Sequence, residues 1–66
     1  MFALYFYAIN GMCFTNIYDA VKTATKIAKE MGYTRAPHLI ALSGGDYEIL
    51  YENDEGYTIK AEVEFI

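Results

Sequence analysis

The residues able to do chemistry are few, and their spacing favours none of the usual constellations. Cys13 and His38 are the sole thiol and the sole imidazole, the two parts of a nucleophile whose pKa an adjacent histidine lowers. No local signature surrounds the cysteine, and the Asn10 to Thr15 segment that holds it is short. A loop or buried cysteine and a strand histidine are the simpler expectation. Carboxylates are plentiful, with Asp54-Glu55 adjacent and Glu62 and Glu64 two apart. General acid–base work needs two carboxyls whose pKa values are split apart, and an exposed sheet face supplies neither the burial nor the pocket that would split them. Asn53-Asp54-Glu55 lacks the ligand spacing of a calcium loop, and one cysteine with one histidine falls short of the four ligands of a structural zinc site. The chain is therefore expected to be no enzyme, with no catalytic residue, no metal and no cofactor.

What the charged residues do show is an uneven distribution. Residues 45–66 carry seven carboxylates (Asp46, Glu48, Glu52, Asp54, Glu55, Glu62 and Glu64) against Lys60 alone. Residues 1–44 carry Asp19 and Glu30 against Lys22, Lys26, Lys29 and Arg35, so the two parts hold −6 and +2 of the net −4. Clustered carboxylates steer toward a basic partner and repel nucleic-acid phosphates. The three helix lysines recur at four and three residues, a spacing that makes one stripe, and such a stripe is ordinarily a solvated face. Phosphate binding there is disfavoured by the net negative charge and by the lack of a glycine-rich cradle ahead of it.

Sixty-six residues make a single domain, 1–66, and a chain of this length buries only about 60% of the surface its unfolded form exposes. One cysteine excludes an internal disulfide, so dense packing or oligomerisation must supply the missing stability. The composition, 55% hydrophobic and 17% aromatic, is too apolar for a disordered segment and points to core plus interface. The apolar start, Met1 to Ile9, has no basic region before it and no cleavage pattern, and no apolar run approaches the roughly 18 residues of a membrane span. A soluble cytoplasmic protein, a complete small gene product, is the expectation.

Elements follow from periodicity. Met1 to Ile9 is apolar on both faces at period two and predicts a strand, ended by an Asn10-Gly11 turn. Between Asn16 and Met31 the positions Ile17, Ala20, Val21, Ala24, Ile27, Ala28 and Met31 fall on one helical stripe, with Thr15 or Asn16 as cap, Asp19 in the first turn and Gly32 at the C-terminal end. Pro37 stops helical backbone, and a strand over about His38 to Leu42 follows. Ser43-Gly44-Gly45-Asp46 reads as a tight hairpin, Asp46 to Glu52 and Tyr57 to Phe65 as half-buried strands, and Asn53-Asp54-Glu55-Gly56 as the turn joining them. The expectation is an α+β fold, β-α-β-β-β, with one amphipathic helix on a four-stranded, largely antiparallel sheet.

Alternation then sorts the sheet's faces. Phe2, Leu4, Phe6, Tyr47, Ile49, Tyr51, Ile59, Ala61, Val63 and Phe65 fall under the helix, leaving Tyr5, Tyr7, Glu48, Leu50, Glu52, Lys60, Glu62 and Glu64 on the other side. Tyrosine joins an apolar body to a polar tip and recurs at binding sites, so Tyr5, Tyr7, Glu48, Glu52, Glu62 and Glu64 are the candidate partner-binding residues. The plainer alternative is a polar face left in water, as antiparallel sheets commonly have. If the first strand lies parallel to the second or fourth it becomes an edge, and an apolar edge invites a second chain, hence a homodimer. Its two-sided apolarity equally allows a place inside the sheet.

One helix on a small antiparallel sheet in an acidic chain of this size resembles small phage or mobile-element proteins that block host defence nucleases, anti-CRISPR proteins among them. The resemblance covers the architecture of the whole chain and carries no residue roles. It implies an inhibitor that occupies a basic surface of a host nucleic-acid-binding or defence protein. The second function class is a structural homo-oligomer or scaffold assembled through the first strand.

Overall fold

The computed structural model describes all residues, 1–66. Two strands, β1 (Phe2–Phe6) and β2 (Ile9–Phe14), precede the helix α1 (Ile17–Glu30). Three more follow, β3 (His38–Ala41), β4 (Tyr47–Glu52) and β5 (Thr58–Phe65), with a one-turn 3-10 helix at Ser43–Gly45 between β3 and β4. They form one five-stranded sheet in the order β2-β1-β5-β4-β3, every neighbouring pair antiparallel. The class is α+β as the periodicity predicts, with five strands where the sequence led us to expect four. No helix is long and apolar enough to cross a membrane.

The extra strand comes from the N-terminal segment. The chain reverses at Tyr7-Ala8 between the paired Phe6 and Ile9, and Tyr7 takes a left-handed φ of 53° to do so. Asn10-Gly11 is thus no terminus but lies within β2, where Gly11 has φ 87° and the β1–β2 register shifts by a residue. Glycine fits there because the backbone conformation is one that side chains resist; the space beside it, against the Tyr5 ring, would admit a Cβ at ordinary contact distance. The same residue pair that signals a turn marks a bulge instead. As a result β1 is no edge and runs parallel to no strand: it is bonded to β2 on one side and β5 on the other.

The helix forms as its sequence directs. Asn16 Oδ1 accepts the Asp19 N–H at 2.9 Å while Asn16 Nδ2 donates to the Asp19 carboxylate at 3.0 Å, closing the N-terminus. At the other end Tyr33 N–H donates to Ala28 O and Gly32 N–H to Lys29 O, the paired bonds of a Schellman stop. Ala20, Ala24 and Ala28 are fully buried, so the helix backbone lies close to the sheet over Leu4, Phe6, Ile49, Tyr51, Ala61 and Val63. One helix cannot roof five strands. Phe65, assigned by alternation to the covered face, stays 54% exposed, and all of β3 is exposed.

The ends of the chain meet. Ile66 N–H donates to Met1 O at 2.9 Å and the Met1 amino group to Ile66 O at 3.1 Å, extending the β1–β5 ladder by one pair.

Candidate functional site

The uncovered sheet face is built by register. Asn10, Tyr5, Glu62, Glu48 and Ile40 are successive cross-strand partners, making one row across all five strands. Beside it runs Cys13, Ala3 and Glu64, and on the other flank Lys60, Leu50 and His38. Three of the six expected contact residues, Tyr5, Glu62 and Glu48, therefore lie in line, and Glu64 is two residues from Glu62 on β5, about 6.8 Å away. Asp46, Glu48, Glu62 and Glu64 with Leu42 help line a shallow depression of about 180 Å³.

Two of the six are not brought to this group. Tyr7 sits in the β1–β2 turn, 60% exposed, with its ring edge-on to Phe6 at 4.7 Å, instead of on the strand. A tyrosine forced into the left-handed region leaves the alternation that would have placed it opposite Lys60. Glu52 is on the right face but four residues along β4 from Glu48, about 13 Å away, beside Thr58. Conversely, Asp46, Ile40 and Leu42 belong to the site and were not singled out by sequence. Asp46 continues the 46, 48, 50, 52 alternation, a signal masked by its place in the Gly44-Gly45 hairpin. Its carboxylate is already engaged, accepting the Phe65 N–H at 2.8 Å.

Electrostatically the face is under-compensated. Glu48 and Glu62 stand directly opposite each other, an arrangement of like charges that destabilises a sheet. Lys60 spans both, 3.2 Å from Glu48 and 4.0 Å from Glu62, and Glu64 has no ion-pair partner. Lys22, Lys26 and Lys29 have none either; with Tyr18, Val21 and Thr25 they edge a larger groove of about 370 Å³ on α1. All six residues around that groove come from a single helix, so no second element fixes its walls.

The geometry also separates the reactive pair. Cys13 is on β2 and His38 on β3, the two opposite edges of the sheet, four strand spacings or about 19 Å apart. Cys13 is exposed and its Sγ lies 3.5 Å from Gly11 O. Asp54 is paired with Arg35 at 3.6 Å, and no three histidine, cysteine, aspartate or glutamate side chains converge at metal-binding range. What the exposed face can do is present a line of carboxylates flanked by a tyrosine and by apolar Leu50, Ile40 and Leu42 to a flat, basic surface. No protein-family model, curated protein or solved structure matches the chain.

Proposed function

We propose that this protein is a small, non-enzymatic, cytoplasmic binding protein of the phage or mobile-element type, whose acidic sheet face occupies a basic surface on a host nucleic-acid-binding or defence protein. The observation that supports it best is the cross-strand Glu48–Glu62 pair beside Glu64 and Tyr5. Lys60 answers these two carboxylates with a single charge, 3.2 Å from Glu48 and 4.0 Å from Glu62, so with the unpaired Glu64 the face keeps a net negative charge that steers it toward a basic surface. Carboxylates about 6.8 Å apart along a strand and about 4.8 Å across it offer a basic groove the charge density of a phosphate backbone on a rigid scaffold.

The test is an affinity capture from host lysate with wild type and with a Glu48→Lys, Glu62→Lys, Glu64→Lys triple variant. We expect a nucleic-acid-handling protein held by wild type at low salt, released at high salt, and not held by the variant, because exposed charge contacts weaken as the screening length shortens. Capture that is equal for both proteins overturns the reading. The other sequence-based reading, a structural homo-oligomer, loses its route through β1, since both edges of that strand are paired.

A further inference from the structure

The sheet has two edges, and they differ. β2 is interrupted by the Gly11 bulge, a device that spoils an edge for further pairing. β3 is regular, without bulge, internal proline or acidic or basic side chain, apart from His38 at its start. Leu39 is 48% exposed on one face, and Ile40 and Leu42 are 41% and 43% exposed on the other.

Backbone direction on β3 follows from one bond. Leu42 N–H donates to Asp46 O, so Leu42, Ile40 and His38 turn their amide groups toward β4, and Leu39 and Ala41 turn theirs outward, free. We propose that β3 pairs antiparallel with β3 of a second copy, about a two-fold axis through Ile40. In this register Leu39 of each copy faces Ala41 of the other, which joins the outward amide groups in four hydrogen bonds and sets a large side chain against a small one on the helix side. Ile40 meets its own symmetry mate on the acidic side, and His38 meets Leu42. The ladder limits itself, because Pro37 has no N–H to offer at the next outward position and the Ser43–Gly45 turn bends the chain away at the other end.

A second copy is favoured over an unrelated strand by this self-complementarity and by the spacing of charge. The nearest facing carboxylates, Glu48 of each copy, lie three strand spacings apart, about 14 Å, beyond the roughly 8–10 Å screening length of physiological salt. A four-residue ladder covers less than the approximately 800 Å² per partner of a standard interface, so the dimer is a weak one. Each copy carries −4, so added salt strengthens this association, whereas it weakens binding through the acidic face. The two proposals stand or fall separately.

Sedimentation equilibrium from low to high micromolar concentration tests it, with circular dichroism verifying the fold of each variant. Wild type is expected to rise toward twice the chain mass, more so with added salt. Ala41→Pro, which removes an outward N–H and none of the β4 bonds, is expected to stay at one chain mass. In a Cys13→Ser background, Ile40→Cys is expected to form a disulfide dimer on mild oxidation, because facing residues in such a pair have Cα atoms about 4.5 Å apart. Leu42→Cys, far from its own mate, is the control. A wild type that stays at one chain mass, association unaffected by Ala41→Pro, or Ile40→Cys chains that cross-link no faster than Leu42→Cys chains would overturn the proposal.

Discussion

Tyr51 is the one fully buried side chain that ends in a hydroxyl, and its oxygen lies 2.9 Å from Thr25 Oγ1 on the helix. Burial pushes the phenol above its ordinary value of about 10, and the Thr25 hydrogen bond draws it part of the way back. The unfolded chain therefore loses this proton first as pH climbs. Stability owed to the group is complete below about pH 10 and falls as pH rises above it. Tyr51→Phe is expected to lower stability at neutral pH by about 1 kcal/mol, the net worth of one hydrogen bond, and to flatten the alkaline decline; urea unfolding at pH 7 and pH 10.5 measures both. At this scale much was legible. Leu4, Phe6, Ile49, Tyr51, Ala61 and Val63 were assigned to the buried face by alternation alone and are buried. Tyr7 was misplaced, because period two carries no sign of where a chain turns when the turn residue is an aromatic in a left-handed conformation.

Among the elements, α1 shows the most direct passage from pattern to structure, with Asn16, Asp19 and Gly32 acting at its ends as their types require. Its three buried alanines set the distance to the sheet. Ala24→Leu, at 0% exposure in the middle of the helix, is expected to cost roughly 1–3 kcal/mol by overpacking, read as a lower midpoint in thermal unfolding. The same change at exposed Lys26 is expected to cost almost nothing. The N-terminal hairpin was illegible for a physical reason: Asn-Gly is equally at home in a turn and in a bulge, and only the cross-strand partner decides which. Once β2 is recognised, β1 moves inside the sheet and the exposed apolar edge becomes β3.

For the whole molecule, the candidate site was legible as a charge pattern and illegible as a shape. Sequence put Glu48, Glu62 and Glu64 on one face, but their alignment with Tyr5 depends on the β1–β5–β4 order, which no local signal encodes. The acidic face and the lysine-bearing helix make the protein polar from one side of the sheet to the other. Glu62→Gln is expected to change stability by no more than about 0.5 kcal/mol, because relief of the Glu48 repulsion is offset by loss of the Lys60 contact at 4.0 Å, while weakening partner capture. Equilibrium unfolding at low and high salt checks the first effect, which screening should erase. The meeting of Met1 with Ile66 bears on how the molecule responds to force. Tension applied at these two residues pulls antiparallel β1 and β5 apart from one end, loading their hydrogen bonds singly and in succession, as in a zip fastener. Along this axis rupture needs only one hydrogen-bonded pair to open at a time, so resistance to a pull applied between these two residues is expected to be small and unrelated to thermal stability.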